Sequence, residues 1–332
     1  MKNYFGIIRY FVSVFLCFLV LSLSFYNNFY NREFAVKTSA KPQENTENEE
    51  ISQVKIEENK EEEKSEKEES KTVSNSKVYK GKIISRYVSP YAAPLSYKKV
   101  YMKNLSGKSV DIKPLLEAKL PFDIKENDDP QVLIVHTHTT ETYMREESEV
   151  YTAADTPRTR NTAQNMVNIG KIVKDKLNSA GIKCVQATTE HDYPEYTGSY
   201  SRAAKTIKTY LSKYPSIKVV IDLHRDAVTS GKSDKVKLVT DINGKKAAQV
   251  MLVMGTGNEH YKENLKLAFK LQERLETDYK TLARPIYLTS KKYNQNLTKG
   301  SLLIEIGTDA NTIKEAETSA EMVGNALANI LK

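Results

Sequence analysis

Short apolar runs of strand length alternate with longer segments of helical periodicity over most of this 332-residue chain. The runs at 132–135, 217–223 and 301–307 are rich in Val, Ile and Leu, which is typical of strands that are buried on both faces. The segments 161–180 and 308–331 carry apolar residues at helical spacing. This alternation predicts a mixed α/β fold with a mainly parallel, doubly wound sheet flanked by helices.

Further elements of the same two kinds fill the rest of the folded region. The pieces before residue 129 carry no recognisable chemistry, and we expect them to form a small subdomain, 78–128, that packs on the main domain, 129–332. We predict strands at 82–87, 99–102, 183–188 and 247–254, and helices at 203–213 and 263–275; apolar residues also recur at intervals over 111–120.

The amino terminus has the pattern of a membrane anchor. Lys2 and Arg9 precede an apolar stretch at 10–26, which is about long enough to span a bilayer and longer than the usual signal-peptide core of about 7–15 residues. No small-residue cleavage site follows directly, so residues 1–33 are predicted to form an uncleaved signal anchor with the rest of the chain outside. The alternative is a signal peptide cleaved near 38–40.

A polar, highly charged segment separates the predicted anchor from the folded region. Residues 34–77 consist largely of Glu, Lys, Ser and Asn, with few large apolar residues. Such a segment cannot bury enough apolar surface to offset the entropy lost on ordering. It is therefore predicted to be a disordered, self-repelling linker that holds the folded domain away from the membrane.

Charge and cysteine content exclude several classes of protein. The formal net charge is +8, but the lysines are scattered, without the clusters of arginine and aromatic residues expected of a nucleic-acid groove. The two cysteines, Cys17 and Cys184, are far apart in the sequence. A disulfide framework or a thiolate metal cage is therefore excluded, and a metal site would have to use histidine and carboxylate ligands.

Ionisable residues occur at or near the carboxyl ends of three predicted strands, where open α/β sheets bind their ligands. They are His138 and Glu141 after the first strand, His224 after the second, and Glu305 within the last. Two imidazoles and one carboxylate would leave zinc an open fourth position, as in hydrolytic sites. We therefore predict that His138, Glu141 and His224 bind Zn²⁺, and that Glu305 is the general base and later the acid.

Neighbouring polar residues have supporting roles in this interpretation. His136 would share the face of His138 on a continued strand, but it ranks below His138 as a ligand because a hydrogen-bonded core position explains it equally well. Asp222 lies two residues before His224 and therefore on the same strand face, where it could orient that histidine.

The remaining histidines and a group of tyrosines lie in predicted loops or at helix ends. We expect His191 to be solvated or to hydrogen-bond within its loop, and His260 to lie on the surface. Three tyrosines are expected to pack within the same loop as His191, with the lining of a substrate groove as the alternative: Tyr193, Tyr196 and Tyr200.

Two other interpretations compete with the zinc site. A salt bridge to Arg225 would also explain a carboxylate at Glu305. Two histidines and a carboxylate also describe the iron site of non-haem oxygenases. Those enzymes favour a β-barrel scaffold, whereas this chain alternates strands with helices, so the iron enzyme is the weaker hypothesis.

Five separated segments together resemble sequences of the stage II sporulation protein P family. The members of this family are membrane-anchored cell-wall hydrolases of endospore-forming bacteria. The resemblance extends from about residue 99 to the carboxyl terminus, and the anchor and linker also fit it. It implies a fold similar to that of zinc-dependent N-acetylmuramoyl-L-alanine amidases and zinc carboxypeptidases. The segments that carry it are 132–141 (VLIVHTHTTE), 191–194 (HDYP), 198–202 (GSYSR), 219–226 (VVIDLHRD) and 302–307 (LLIEIG).

The resemblance implies cleavage of the amide between the lactyl group of the glycan and the first L-alanine of the stem peptide, and endopeptidase action on cross-links. His138 and His224 match the zinc histidines of the family, and Glu305 matches its catalytic glutamate. Glu141 is assigned as the third ligand from its His-x-x-Glu spacing. Related amidases take a glutamate from the region that corresponds to 158–165, which has no acidic residue here.

The resemblance also implies partners and a location. The substrate would be peptidoglycan, the partner a stage II sporulation protein D-like transglycosylase, and the location the membrane of the sporulation septum, with the catalytic domain outside the cytoplasm. Arg225, Arg202 and Asn165 are candidates for steadying the oxyanion or the carboxylates of the substrate. A non-catalytic scaffold that binds the cell wall is the remaining alternative.

Overall fold

The computed structural model describes residues 78–125 and 129–332. Its elements follow one another along the chain as strands β1–β13 and helices α1–α5. Their bounds are β1 Tyr79–Arg86, β2 Leu95–Tyr97, β3 Val100–Asn104, α1 Ile112–Glu117, β4 Val132–Val135, β5 Val150–Thr152, α2 Met166–Ser179, β6 Cys184–Gln186, α3 Ser199–Lys213, β7 Val219–Asp226, β8 Thr229–Ser230, β9 Asp234–Ile242, β10 Lys245–Ala248, β11 Val250–Gly255, α4 Tyr261–Asp278, β12 Ile286–Thr289, β13 Gly300–Thr308 and α5 Ile313–Leu331. A short 3-10 helix, Pro90–Ala92, lies between β1 and β2.

The main sheet has eight strands in the order β2-β3-β12-β11-β13-β7-β4-β6. Strands β13, β7, β4 and β6 are parallel to one another, and β11, β12 and β3 form a second parallel group that runs the opposite way. The antiparallel pairs are β11 with β13 and β2 with β3. The mixed α/β fold predicted from the sequence is confirmed, and most strand pairs of this sheet are parallel.

Alternate residues of the central strands pack into different layers. Val132 and Ile134 of β4 belong to the large core, which also contains apolar residues of α2, α4 and α5. Leu133 and Val135 belong to a smaller core, which includes Ile207 of α3. Helices therefore cover both faces of the sheet. Four of them, α1, α2, α4 and α5, contribute to the core on one face and α3 to the core on the other, because strand side chains alternate in direction while each helix buries one apolar side.

A smaller sheet, in the order β10-β9-β1-β5 with β8 also paired to β9, was not predicted from the sequence. Strand β1 joins this sheet, whereas β3 extends the main one, so the predicted subdomain 78–128 contributes to both. Lys237 of β9 is 2% exposed and lies 3.2 Å from Glu315 of α5 and 2.5 Å from Glu147. The buried side chain of Lys237 therefore joins the smaller sheet to α5. The predicted domain boundaries stay a prediction.

Several element boundaries differ from those predicted, for local reasons. The helix expected over 161–180 begins at Met166, because the side chain of Asn165 accepts a hydrogen bond from the backbone N–H of Val167. The final helix, expected over 308–331, begins only after Thr312, where a capping box with Glu315 fixes its start.

The described residues include no helix long and apolar enough to cross a membrane. The predicted anchor at 1–33 and the predicted linker at 34–77 lie outside the described residues, as does Cys17.

Candidate active site

Two neighbouring parallel strands place three ionisable residues on one face of the main sheet. β13 pairs with β7 so that Glu305 lies opposite His224. Leu223 and Ile304 belong to the core that contains α2, α4 and α5. Because neighbouring side chains of a strand point to opposite faces, Asp222, His224 and Glu305 point away from that core. The strand predicted over 217–223 continues to Asp226, so His224 lies within the strand and not after it.

The turn after β4 brings the other two predicted residues to the same place. His138 and Glu141 are 7% and 6% exposed. The ring centroids of His138 and His224 are 5.2 Å apart, with the rings nearly perpendicular. Nδ1 of His224 lies 3.7 Å from Oε2 of Glu141. The residues predicted as metal ligands from distant parts of the sequence therefore converge.

His224 lies among carboxylates. Asp222 Oδ1 is 3.0 Å from its Nε2, although the contact is not aligned as a hydrogen bond. Burial alone lowers the pKa of His224, but Asp222, with further contributions from Glu141 and Glu305, outweighs it and raises that pKa to about 10. The surroundings of this imidazole therefore favour a positive charge.

Asp222 is itself held in place by hydrogen bonds from the turn after β4. The backbone N–H of Thr137 donates to Oδ1 at 2.8 Å, and its hydroxyl donates to Oδ2 at 2.6 Å. Burial raises the pKa of Asp222, but His224 and these hydrogen bonds outweigh it and hold that pKa below its usual value. The carboxylate thus stays charged beside His224, which agrees with its predicted orienting role.

His138 has one ring nitrogen without a partner. Its Nδ1 is buried and makes no hydrogen bond, while its Nε2 lies 3.1 Å from the hydroxyl of Tyr196. Burial lowers the pKa of His138 to about 2, and the charges of His224 and Arg158 act in the same direction. The imidazole is therefore neutral and has a lone pair to offer, as a metal ligand must.

Glu305 is the third group with an unsatisfied buried atom. Its Oε2 has no hydrogen-bond partner. Burial raises its pKa to about 8; His224 lowers the pKa, and Asp226 and Glu141 raise it further. Arg225, the predicted salt-bridge partner, instead donates to the carbonyl oxygens of Thr142 and Pro157. The competing interpretation of Glu305 as half of an Arg225 salt bridge is therefore wrong.

The donor set fits zinc in kind and nearly in position. In residues 78–125 and 129–332, no three His, Cys, Asp or Glu side chains would hold a metal ion as they stand. Two imidazoles on one tetrahedral zinc have ring centroids about 5 Å apart, and neighbouring donor atoms lie about 3.3 Å apart. The 5.2 Å between His138 and His224, and the 3.7 Å between His224 and Glu141, are close to these values. The unpartnered Nδ1 of His138 completes the fit.

His136 lies on the opposite side of the sheet and is fully buried. Its Nδ1 donates to the carbonyl oxygen of Leu223, at 3.3 Å, and its Nε2 accepts from Gln186, at 3.0 Å. A Cβ atom added at Gly170 of α2 would lie 2.6 Å from its ring. His136 is therefore a satisfied core residue, because β4 ends at Val135 and the chain turns before His138.

The polar residues proposed to steady the substrate are engaged elsewhere. Arg225 is buried against backbone carbonyls, and Asn165 caps α2. Arg202 donates to the carbonyl oxygens of His191 and Glu195. His191 is buried and holds its loop in place through contacts with the carbonyl oxygen of His136 and the hydroxyl of Thr206 in α3. These predictions for Arg225, Arg202 and Asn165 are not supported by the geometry.

The sequence reasoning missed Arg158 and the contacts of two tyrosines with His138. Tyr196 stacks on His138 with ring centroids 4.5 Å apart, and Tyr200 lies 5.7 Å from the same ring. Nη2 of Arg158 is 3.9 Å from Glu141, and its guanidinium lies 4.7 Å from the centre of the Tyr196 ring. Tyr196 and Tyr200 therefore pack against His138 and not only within their loop, whereas Tyr193 is exposed and contacts Arg160.

A family model and a curated relative match this chain. The model of stage II sporulation protein P matches residues 19–328. Stage II sporulation protein P of Bacillus subtilis (strain 168) is 28% identical over 210 residues, which cover 60% of this chain and 49% of the relative. The chain therefore spans about half the length of the curated relative that it matches.

Solved structures of amidases are similar at a lower level. The CwlD amidase of Clostridioides difficile, solved in complex with the GerS lipoprotein, is 13% identical with a TM-score of 0.38. The matched region covers 60% of this chain and 94% of the CwlD chain. The catalytic domain of CwlV, an N-acetylmuramoyl-L-alanine amidase from Bacillus (Paenibacillus) polymyxa var. colistinus, is 11% identical with a TM-score of 0.35, and covers 60% and 96%. At these values the similarity decides neither mechanism nor substrate.

Proposed function

Because this chain belongs to the stage II sporulation protein P family, we propose that it is a zinc-dependent peptidoglycan hydrolase that acts in sporulation. The reaction is hydrolysis of the N-acetylmuramoyl-L-alanine amide, with endopeptidase action on peptide cross-links as a second activity. One observation carries the proposal. His138, Glu141, His224 and Glu305 come from three separate regions of the sequence and meet at one place. Three of their buried atoms have no hydrogen-bond partner: Nδ1 of His138, Nε2 of His224 and Oε2 of Glu305.

His138, Glu141 and His224 are the proposed zinc ligands. Three acidic side chains, Asp222, Glu141 and Glu305, surround the imidazole of His224, and this arrangement favours a bound cation. Zinc, when bound, would supply Lewis acidity and lower the pKa of a water molecule to about 7.

Glu305 is the proposed general base and acid. A bound divalent cation would lower its pKa from the raised value, so that the carboxylate is available to accept a proton at Oε2 from the attacking water. The water oxygen forms a bond to the amide carbon, the C–N bond breaks, and Glu305 returns the proton to the leaving nitrogen. The products are a lactyl carboxylate and the free amino group of the stem peptide.

The cellular context is part of the same proposal. Residues 1–33 would anchor the chain in the membrane and residues 34–77 would act as a linker, so that the hydrolase reaches the wall from the sporulation septum. A stage II sporulation protein D-like transglycosylase would then act on glycan strands from which stem peptides have been removed.

Digestion of purified cell wall tests the reaction. The full-length chain, incubated with purified peptidoglycan, is expected to release stem peptides with free L-alanine amino termini, identified by mass spectrometry. A chelator should stop the release and added Zn²⁺ should restore it. Restoration by Fe²⁺ and not by Zn²⁺ would favour the non-haem iron hypothesis, and wall binding without any released product would favour the scaffold.

Variants of the proposed ligands test the metal site. His138→Ala and His224→Ala should each abolish zinc binding, measured by equilibrium dialysis with metal analysis, and hydrolysis with it. His260→Ala is a matched control, because His260 lies beside Glu259 at the start of α4 and makes no contact with the site. Zinc retained by either of the first two variants would remove that histidine from the ligand set.

A further inference from the structure

The guanidinium of Arg158 lies at the edge of the candidate site. One of its terminal nitrogens, Nη1, hydrogen-bonds to protein groups, whereas no hydrogen bond from Nη2 to another described residue is seen. Its Nη1 donates to Asp192 and, at 3.2 Å, to the hydroxyl of Thr140. The guanidinium also lies over the ring of Tyr196. Asp192 is itself fixed, because it accepts hydrogen bonds from both the backbone N–H and the hydroxyl of Thr140. The orientation of Arg158 is therefore set before any ligand arrives.

The other end of the guanidinium faces the proposed ligands. Its Nη2 lies 3.9 Å from Oε1 of Glu141, which is too far for a hydrogen bond, and Oε2 of the same carboxylate is 3.7 Å from Nδ1 of His224. Nη2 is therefore separated from the proposed metal position by the width of one carboxylate. The side chain of Arg158 is 36% exposed, so a substrate can reach it.

The cations that compete for this role are unavailable. Arg225 and Arg202 donate to backbone carbonyls. Arg284 is only 9% exposed and pairs through Nη1 with Asp226 at 2.9 Å, although its Nε has no hydrogen-bond partner. Arg160 lies two residues beyond Arg158 and has different partners, since its Nε pairs with Glu190 at 2.9 Å and its guanidinium lies over Tyr193.

We propose that Arg158 is a catalytic residue that donates a hydrogen bond from Nη2 to the carbonyl oxygen of the scissile amide while negative charge develops on that oxygen. The assignment rests on the proposed hydrolase function. No proton leaves the guanidinium, because its charge is permanent, and its role is to stabilise charge in the transition state. A donor that is already oriented is effective here, because no reorganisation is needed when the reaction occurs.

Paired substitutions in the full-length chain test the proposal. Arg158→Gln and Arg160→Gln make the same chemical change on two arginines that each stack on a tyrosine and pair with a carboxylate. We expect kcat of Arg158→Gln on a soluble muramoyl peptide to fall about 10²–10³-fold, as for the loss of an oxyanion donor, with KM changed only a few-fold. Arg160→Gln should behave like the unsubstituted chain.

Zinc affinity and a second variant separate the possible outcomes. If Arg158 only holds Glu141, Arg158→Gln will weaken zinc binding, measured by equilibrium dialysis, in proportion to the lost activity, and the proposal is overturned. An increase in KM alone, or no change, also overturns it. Arg158→Lys keeps a cation beside Asp192, so it should fold even if the Gln variant does not, and we expect it to lose about 10-fold in kcat since one ammonium cannot serve both sides.

Failure of the parent proposal gives a different result. An unsubstituted chain that binds zinc but does not hydrolyse the muramoyl amide would overturn the proposed function, and the Arg158 assignment with it. An active chain whose kcat is insensitive to Arg158→Gln and Arg158→Lys would overturn the assignment alone.

Discussion

His136 and His138 are two residues apart, both are buried, and the main sheet separates them. His136 faces α2, and both of its ring nitrogens have partners. His138 faces the other side, where its Nδ1 has none. Burial lowers the pKa of both, to about 4 and about 2. The difference shows that burial and a shifted pKa do not identify a functional histidine, whereas a buried nitrogen without a partner does point to a missing ligand.

The two faces of the sheet differ in the same way on a larger scale. The face covered by α2, α4 and α5 buries one continuous apolar core. On the opposite face, β7 and β13 present Asp222, His224 and Glu305 beside a much smaller apolar cluster around Leu303. Substitutions on the first face should therefore change stability, and substitutions on the second should change chemistry.

The largest expected effect is at Glu305. Glu305→Gln should reduce the rate of hydrolysis about 10²–10⁴-fold, the usual contribution of a general base, while zinc content stays unchanged. Its melting temperature should stay the same or rise, because the change replaces a carboxyl group whose charged form burial disfavours with a neutral amide of the same size.

Glu276 provides the matched control for this variant. Burial also raises the pKa of this carboxyl group. Glu276 lies on α4, however, and accepts hydrogen bonds from the hydroxyl of Tyr91 and the backbone N–H of Thr281. Glu276→Gln should leave the rate of hydrolysis unchanged and lower stability. Full activity in Glu305→Gln would contradict its role as the base.

The next effect is structural and lies at Gly170. A Cβ atom there would lie 2.5 Å from the Gln186 amide and 2.6 Å from the His136 ring, so Gly170→Ala should lower the free energy of unfolding by about 1–3 kcal/mol. Gly324→Ala in α5 is a second variant of this kind, because its Cβ would lie 2.7 Å from Cβ of Lys176, an atom that the backbone of α2 holds in place.

Urea unfolding measures both variants. Gly324→Ala should also lower the free energy of unfolding, because this close contact outweighs the preference of a helix for Ala over Gly, which is up to about 1 kcal/mol. Hydrolysis per folded molecule should be unchanged in both. A Gly170→Ala protein as stable as the unsubstituted chain would mean that His136 and Gln186 can move apart at little cost.

A smaller effect is expected at Asp222. Asp222→Asn should weaken zinc binding about 10–100-fold, because carboxylates that orient a metal-binding histidine contribute about that much. Asp226→Asn is the control on the same strand face, since Asp226 pairs with Arg284 and not with His224. Equal zinc affinities for the two variants, measured by competition with a chelator, would show that Asp222 does not orient His224.

The smallest effect is expected at Cys184, on the helix-covered face. It is buried, and burial raises the pKa of its thiol well above the usual value. Iodoacetamide at about pH 8 should therefore leave Cys184 unlabelled in the native protein and label it in urea. Peptide mapping would distinguish it from Cys17, and rapid native labelling would show that β6 opens at the edge of the sheet.

The parts of the fold that the sequence predicted well are those with strong periodicity. The run at 132–135 is β4 with the predicted bounds, and the helix predicted at 263–275 lies within α4. The weakly patterned strands of the smaller sheet were missed, because β5 and β8 have only three and two residues and are stabilised by pairing with distant segments. Such pairing leaves no local signal.

The site could be predicted only for residues whose chemistry is unusual for their place in the sequence. His138, Glu141, His224 and Glu305 follow or interrupt apolar runs, and they do converge. Arg158 gave no signal, because an arginine in a polar loop is ordinary. Its position depends on contacts with Asp192 and Tyr196, which lie more than thirty residues away.

The sequence by itself determined the α/β class, the predicted anchor and linker, the family resemblance and the set of ionisable residues at strand ends. These are properties of local composition and periodicity. Only the tertiary structure decided that His136 and His138 lie on opposite faces, that Asp222 supports His224, and that Arg158 rather than Arg225 faces the site. The physical reason is that burial and hydrogen-bond satisfaction belong to pairs of groups far apart in the chain, and folding alone brings those pairs together.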